Sequence, residues 1–361
     1  MRVPARAGFG PAMLAAGALA LAACGQESTA TEDPDPPSHG HSHAHGTRGH
    51  GHADGDEEAP RVERPPARLS RATGLVTIDG AQATPGAALD AESTVVVPAD
   101  GNAVLVLRDG ARVELDGPST VRVVSEGSAQ VFLVRGRAFA SQPPNGNAAR
   151  PPLRIATPAA TMEVVGDGEF YTSTFENGST WIATMSGVVS VSADEADARH
   201  RLRAIDVTAG QSLAIAGRLG EPIEGPNRLP AARAAANALA GGEGMSEPDP
   251  EALTRGFRPV LERLDQALRW LETETRRGSE LTAQHRAAAQ AGEQEEASRL
   301  QREIVAHSQE LYRLRGLATT RWERARAQKL FLDLVGAGPS PDPIAERHDR
   351  VAGLLGFGAS S

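Results

Sequence analysis

The stretch AVLVLRDGARVEL, residues 103–115, decides the fold class of the central region. Apolar side chains lie on both sides of Asp109-Gly110, and residues 112–115 alternate polar and apolar side chains, the period of a half-buried strand. Asp-Gly is favoured in two-residue hairpin turns because it tolerates the positive φ angles that such turns need. We therefore predict an antiparallel β-hairpin in this stretch.

The same pattern extends outward from this hairpin, over about residues 67–220. Residues 121–123 and 153–155 also alternate, and turn dipeptides such as Asn177-Gly178 separate the apolar runs. Roughly a dozen short strands at this spacing indicate an all-β domain of the sandwich, jelly-roll or barrel type.

A helical pattern follows the β-region. Ala, Arg, Glu, Gln and Leu dominate after Pro230, and apolar side chains recur three or four residues apart, the period of amphipathic helices. We predict an α-helical, coiled-coil-like region over residues 228–336, with a turn at Arg277-Gly278-Ser279 and a third helical piece at about 318–335. Prolines then break the pattern, so we expect residues 337–361 to form a loosely ordered tail. The periodic positions are Leu253, Phe257, Leu261, Leu264, Leu268, Leu271, Leu300, Ile304, Leu311 and Leu314.

Residues 1–23 have the pattern of a bacterial export signal. Arg2 and Arg6 precede an apolar stretch that is shorter than the roughly 20 residues needed to span a bilayer. The following Leu21-Ala22-Ala23-Cys24 resembles the bacterial lipobox, which implies cleavage before Cys24 and acylation of Cys24. Several acyl chains on one residue give stable anchoring. We therefore expect an extracytoplasmic, lipid-anchored envelope protein, and Gly25 favours the outer over the inner membrane.

Residues 24–66 contain almost no large apolar side chain, so we expect a disordered linker rich in His, Pro and Gly. Imidazole binds zinc, copper or nickel, and several imidazoles on a pliable chain can wrap one ion. The alternative is a solvated spacer that binds metal only as any His-rich tract would. The candidate metal ligands are His39, His41, His43, His45, His50 and His52.

Charge and motifs restrict the function classes. The formal net charge of −9 disfavours nucleic acid as a partner, and a single cysteine excludes an intramolecular disulfide or a Cys-based zinc site. The carboxylates Glu163, Asp167 and Glu169 suit turns and solvent-facing positions, so we predict no catalytic residue and no enzyme. Phe170 and Trp181 suit the core, and the same holds for the helical aromatic side chains at positions 270, 322 and 331, with a partner-binding surface as the alternative.

The β-region resembles the FecR domain family over Gly74 to roughly Gly217. The resemblance rests on an ordered series of short motifs rather than on one diagnostic piece. Residues 166–170 depart from the family pattern, and the cytoplasmic segment and membrane-spanning helix of sensor-type members have no counterpart here. The resembling pieces are Gly74-Leu75-Val76, Pro85-Gly86, 103–115, Val134-Arg135-Gly136, Ile155-Ala156-Thr157-Pro158, 180–189 and Val207-Thr208-Ala209-Gly210-Gln211.

Three functions are compatible with these patterns. The first is a non-catalytic, lipid-anchored envelope protein whose FecR-like domain binds a ligand or protein and whose helices mediate assembly. The second is a metal buffer or sensor acting through the His-rich arm. The third, implied by the resemblance, is a FecR-type signal relay to a sigma-factor system. The expected partners are the membrane, an unidentified envelope protein and a second copy bound through the helices.

Overall fold

The computed structural model describes residues 65–357, except 125–126, 128, 145–149, 198–199, 217 and 243–249. These residues form a large β-sheet region followed by helices, as the sequence predicts. The strands are β1 (Ala67–Thr73), β2 (Thr77–Ile78), β3 (Ala81–Gln82), β4 (Ala88–Leu89), β5 (Thr94–Val97), β6 (Asn102–Leu107), β7 (Arg112–Val123), β8 (Val131–Gln142), β9 (Arg154–Ala156), β10 (Thr161–Thr174), β11 (Thr180–Ala196), β12 (Leu202–Thr208), β13 (Gln211–Ile215) and β14 (Ile223–Glu224).

The hairpin predicted at residues 103–115 is confirmed. Strands β6 and β7 pair antiparallel, with Leu105 opposite Val113, and Gly110 between them has a φ of 88°. The connected sheet runs in the order β14-β13-β11-β10-β9-β8-β7-β5-β2-β3, and β1, β4, β6 and β12 attach to it at its sides. All pairings are antiparallel except the short parallel contact between β8 and β9.

The four longest strands bend, and each changes partners at its bend. Strand β11, for example, pairs with β13 through residues 180–183 and with β12 through residues 188–196. Gly136 in β8 and Gly187 in β11 lie at such bends with φ angles of 102° and 73°, and a Cβ atom at either position would collide with the neighbouring strand. Glycine is therefore required where the sheet folds over.

Both halves of the folded sheet contribute to one apolar core. Alternate side chains along each strand point inward, as the period of two demands. Fully buried members come from strands at both ends of the sheet order, so the halves enclose the core between them. These members include Leu69, Val95, Leu105, Val113, Leu133, Ile155, Phe170, Ile182, Val191 and Leu213.

The helical region consists of α1 (Leu229–Ala240), α2 (Pro250–Ala291), α3 (Gln294–Leu334) and α4 (Ala345–Leu355). Helices α2 and α3 form a long hairpin, in which Leu264, Leu268 and Leu271 pack against Leu314 and its neighbours in α3. Within the described part of the chain, none of the helices combines the length and apolar character that crossing a bilayer requires.

The predicted turn at residues 277–279 is wrong, because α2 continues through these residues and the hairpin turns at Gly292-Glu293. Gly278 has a different role: a Cβ atom there would lie 2.9 Å from Nε2 of His307 on α3. The His307 ring occupies that space, and its Nε2 lies 2.8 Å from the carbonyl oxygen of Glu274. The glycine thus permits a close contact between the helices.

The expectation of a loosely ordered tail is also wrong for residues 345–355, which form α4. Val351 is buried among the apolar side chains of α2 and α3. Arg347 makes a two-pronged ion pair with Asp265 at 2.9 and 2.8 Å, and Arg350 makes one with Glu272 at 2.7 and 2.9 Å. Hydrogen bonds from Arg350 hold the pKa of Glu272 below its ordinary value. These contacts join residues about 80 positions apart, so local periodicity does not reveal them.

Candidate functional site: the joint between sheet and helices

The predicted anchor Cys24 and the six candidate metal ligands of the His-rich arm lie outside the described residues. Acylation and metal binding there therefore stay predictions. Within the described ranges, no group of three or more His, Cys, Asp or Glu side chains could hold a metal ion. The most elaborate polar arrangement in the described residues instead lies where α3 meets the sheet.

A segment of α3 shortly before its C-terminal end is buried on every side. Residues 320–325 are all buried, although three of the six are Arg or Glu. Helix α2 and helix α4 cover two sides of this segment, and the outer surface of the sheet covers a third, through Phe132 and Ala156 against Phe331. We call the polar contacts between this part of α3 and the sheet the joint.

Glu323 is the centre of the joint. Its side chain is fully buried, and Oε1 accepts a hydrogen bond of 2.8 Å from the backbone N–H of Ala129, in the connection between β7 and β8. Its Oε2 lies 3.7 Å from Nη2 of Arg154 on β9. A buried carboxylate is costly without such partners, so this geometry holds the helix against both the β7–β8 connection and β9.

A second carboxylate, Glu92, links the sheet to the same helix. Its Oε2 forms an ion pair with Nε of Arg122 on β7 at 2.9 Å, and its Oε1 accepts a hydrogen bond from Nη2 of Arg326 on α3 at 2.7 Å. The Arg326 guanidinium also lies over the rings of Phe132 and Trp322, at 5.4 and 5.7 Å from their centroids. Arg326 therefore combines an ion pair with stacking, for which a planar guanidinium is suited.

The chain's sole lysine, Lys329, lies at the edge of the joint. Its Nζ is 2.6 Å from both carboxylate oxygens of Asp333 and 3.6 Å from Asp342, just before α4. The side chain is 10% exposed. It thus connects α3 to the segment that leads into α4.

An open cavity of about 560 Å³ lies beside these groups. The charged side chains that line it on the sheet and on α3 are largely paired with one another, as described for Glu92 and Lys329. The arrangement therefore holds three elements together and offers few uncommitted charges to a ligand. The lining residues include Glu92, Arg122, Trp322, Arg326, Lys329 and His348.

Helix α1 is attached to the other outer surface of the sheet in a similar way. Arg233 donates to Asp116 at 2.7 and 2.8 Å and to Glu114 at 2.8 Å, both on β7. The hydrogen bond with Asp116 is the main cause that raises the pKa of Arg233 above its ordinary value. Burial, followed by the charge of Asp116, raises the pKa of Tyr171, whose hydroxyl lies 3.1 Å from Asp116.

A third contact joins the β11–β12 connection to the hairpin. The ring of His200 packs against the ring of Trp270 of α2, with a centroid distance of 4.1 Å and 40° between the ring planes, and its Nδ1 lies 3.4 Å from Oε1 of Glu310 on α3. His200 has a φ of 57°. This contact lies farther along the hairpin toward its turn than the joint does.

Most of the aromatic side chains singled out in the sequence are buried, as predicted. Phe170, Trp322 and Phe331 are fully buried, and Trp181 is buried beneath α1. Trp270 is half-buried and takes part in the contact with His200. Glu163 faces Arg154 at 3.4 Å, which is an ion pair across neighbouring strands.

Sequence reasoning missed Glu323 and Glu92 as joint residues, and it missed Arg233 as the residue that attaches α1 to β7. Charged side chains in an amphipathic helix are normally read as a solvated face. The one available signal was the sequence RWERAR at residues 321–326, where a tryptophan is set among charges in the predicted third helical piece. Because their partners are far away in sequence, the pairs themselves could not be found.

Comparison with known families confirms the resemblance of the β-region. Residues 93–190 match the family model described as FecR protein. This span runs from just before β5 into β11 and includes both Glu114 and Asp116, the partners of Arg233. The chain therefore carries a FecR segment in the middle of its sheet.

Two crystal structures of a protein described as a "putative anti-sigma factor" from Parabacteroides distasonis ATCC 8503 are similar to part of the chain. Their sequences are 18% and 19% identical to it, over 41% of this chain, and both TM-scores are 0.31. The chain spans 65% and 64% of the lengths of these two structures. None of the curated proteins matches the chain.

Proposed function

We propose that this protein is a FecR-type signal relay, in which the β-domain binds a partner protein and the attached helices pass the resulting change to a sigma-factor system. The match of residues 93–190 to the FecR family carries the proposal. FecR is a regulatory, non-enzymatic family, in keeping with the expectation that the protein is not an enzyme.

The joint supports this proposal physically. Glu323 and Arg326 fix α3 to the part of the sheet that contains the FecR segment. Packed cores and interfaces move as units rather than deforming continuously, so a displacement of β7 or β8 would displace α3. A partner that binds the β-domain could thereby alter the position of the hairpin.

The predicted lipid on Cys24 adds a requirement. A chain anchored by lipid outside the cytoplasm cannot itself contact a cytoplasmic regulator. We therefore propose that a membrane-spanning partner carries the signal inward. Lipid-anchored scaffolding, without any transcriptional output, is the competing function.

Transcript profiling tests the relay directly. In a strain that lacks this chain, we expect a group of genes that share one alternative sigma factor to change severalfold, and we expect the intact gene to restore them. If no such group changes under any inducing condition tested, the relay is refuted and scaffolding becomes the better description.

A joint variant separates relay from scaffolding. Arg326→Met removes the ion pair with Glu92 but keeps an apolar stem over Phe132, and Arg302→Met, on the exposed surface of α3, is the matched control. The relay predicts that Arg326→Met reduces the transcriptional response at unchanged protein level, while Arg302→Met does not. Equal responses from both variants would show that the joint does not transmit the signal.

A further inference from the structure

The outer surface of the sheet beneath α1 is apolar. Tyr171 on β10 lies directly opposite Phe139 on β8 and Ala183 on β11, and opposed residues in a sheet share one face. An antiparallel sheet usually presents polar side chains on the face that does not enclose the core. The large apolar side chains here instead need a cover. We call them the aromatic patch; its residues are Phe139, Tyr171, Phe175, Trp181, Ala183 and Met185.

The row of side chains that runs through the aromatic patch continues past α1 to the edge of the sheet. Ala183 lies opposite Ser212 on β13, and Ser212 lies opposite Ile223 on β14. Ile223 therefore belongs to the same row, and its side chain is 65% exposed. A protein that approaches this edge meets an exposed apolar side chain in line with the covered patch.

Helix α1 contributes little to its contact with the patch. Seven of its 12 residues are alanine, and Ala232 and Ala236 are its fully buried members. Within the described residues, no side chain caps its N-terminus by a hydrogen bond, and Gly241-Gly242 follow its last turn. Because an isolated helix of this length is marginal in water, α1 depends on the patch and on its polar contacts.

Arg233 is the main polar contact of α1. It pairs with Glu114 and Asp116, which we call the acidic pair, and its side chain remains 35% exposed. The acidic pair has further partners on the sheet. Asn102 Nδ2 lies 3.5 Å from Glu114 and 3.4 Å from Asp116, and the Tyr171 hydroxyl lies 3.1 Å from Asp116. Release of Arg233 therefore leaves neither carboxylate without a partner.

The contacts of α1 differ in kind from those of the joint. The other side-chain hydrogen bond of α1 to the sheet joins Asn237 to Arg137 on β8, and this pair is exposed. The joint instead relies on the fully buried carboxylate of Glu323 and on the buried ring of Phe331. Exposed and half-exposed ion pairs add little stability, whereas breaking a buried pair is costly. Of these two attachments, that of α1 is therefore the easier to open.

We propose that α1 is a displaceable cover of the aromatic patch, and that the partner in the signal relay binds this patch with a helix of its own. The inference rests on the proposed function, because it specifies where that partner binds the β-domain. The acidic pair beside the patch belongs to the FecR segment, residues 93–190.

Helix α1 indicates the chemistry of the partner helix. Arg233 reaches the acidic pair, while Ala232 and Ala236, one position before it and three after it, face the patch. An amphipathic helix that carries an arginine with small apolar side chains at these two spacings matches the surface. Its positive charge complements the acidic pair, which stays on the sheet when α1 leaves.

Exchange of one helix for the other keeps the aromatic patch covered in both states. Because the partner binds the uncovered form, its apparent affinity is reduced in proportion to the fraction of molecules in which α1 is released. Helix α1 lies between β14 and α2 in the chain. Its displacement therefore alters the connection between the sheet and the hairpin.

Cysteine labelling of the purified full chain measures the displacement of α1. In a Cys24→Ser background, Ala236→Cys places a thiol between α1 and the sheet, and Ala327→Cys, equally buried on α3, is the matched control. We expect a maleimide to react with Ala236→Cys at least tenfold faster than with Ala327→Cys, at unchanged circular dichroism. Equal rates for the two variants would overturn the proposal.

A peptide with the sequence of residues 227–242 serves as the probe for the partner helix. At millimolar concentration, which competition with a tethered copy requires, it should occupy the patch and accelerate labelling of Ala236→Cys severalfold. The same peptide with Arg233→Glu should not, because its carboxylate opposes the acidic pair. Absence of acceleration by the first peptide, or equal acceleration by both, would count against the patch as a helix-binding surface.

A variant that weakens the cover tests the inference in cells. Arg233→Met leaves the patch intact, so the transcriptional response should begin at a severalfold lower level of the inducing stimulus. Arg228→Met, at an exposed position just before α1, is the control and should respond like the native chain. An unchanged or higher threshold with Arg233→Met contradicts the inference. If the native chain evokes no sigma-factor response, the relay fails, and the labelling rates still decide whether α1 is a displaceable cover.

Discussion

Glu323 is the residue on which the attachment of α3 to the sheet depends most directly. Its carboxylate is fully buried, and its partners lie in the β7–β8 connection and on β9. A buried pair of this kind contributes little over an apolar substitute, but removing one member leaves the other uncompensated. Losing Glu323 alone should therefore destabilise the protein far more than replacing the whole pair by apolar side chains.

Glu323→Ala should lower the free energy of unfolding by about 3 kcal/mol, because the buried Ala129 N–H loses its acceptor and the Arg154 guanidinium loses one of its two carboxylate partners. Urea unfolding measures the change. Glu280→Ala, at an exposed position of α2, is the control and should change stability by less than about 0.5 kcal/mol. Similar values for the two variants would contradict a structural role for Glu323.

Cys24 decides the location of the protein in our interpretation. We expect Cys24→Ser to move the chain from the membrane fraction to the soluble extracytoplasmic fraction, since the serine oxygen cannot replace the lipidated sulfur. Ser28→Ala, four residues further on, should leave the chain with the membranes. Cell fractionation followed by immunoblotting distinguishes these outcomes, and retention of the Cys24→Ser variant on the membrane would disprove the anchor.

At the scale of elements, two glycines of the hairpin lie in different surroundings. Gly278 permits the close approach of His307, whereas a Cβ atom at Gly316 on α3 would meet no other atom within 4 Å. Glycine in a helix costs roughly 1 kcal/mol relative to alanine. The two glycines should therefore respond differently to the same substitution.

Gly316→Ala should stabilise the protein by about 0.5 to 1 kcal/mol through the helix preference of alanine alone. Gly278→Ala should stabilise less or destabilise, because the added methyl group displaces His307 from the Glu274 carbonyl. Thermal or urea unfolding of both variants measures the difference. An equal gain in stability at the two positions would show that the close contact between Gly278 and His307 does not contribute to stability.

At the scale of the whole molecule, the helices cover both outer surfaces of the sheet. Helix α1 covers Tyr171 and Trp181, and α3 covers Phe132. The large buried area at these contacts should make the sheet and the last part of α3 unfold together. The end of the hairpin on either side of its turn has far fewer buried side chains, chiefly Leu281, Ala288 and Leu300.

Hydrogen exchange should therefore show two levels of protection. Amides of β7, β8 and residues 317–332 should exchange only through global unfolding, whereas amides of residues 281–300 should exchange through local opening at lower free energy. Mass spectrometry of peptides from these segments measures both levels. Equal protection of the sheet and of residues 281–300 would contradict the prediction.

Sequence alone determined the order of the major regions and the type of each. Alternation around residues 103–115 predicted strands, and three-and-four spacing from Leu253 onward predicted helices, because both signals are local and arise from the geometry of one element. The ordered motifs from Gly74 to Gly217 likewise identified the FecR resemblance, which the match at residues 93–190 confirms.

Only the tertiary structure decided how these regions are joined. Glu323 and Ala129 are 194 residues apart, and Arg326 and Glu92 are 234 apart, so no periodicity connects them. The same holds for Gly278, which resembles a helix terminator until His307 is seen beside it, and for α4, whose order depends on Asp265 and Glu272. Burial of a charged side chain depends on partners that come together only when the chain is folded.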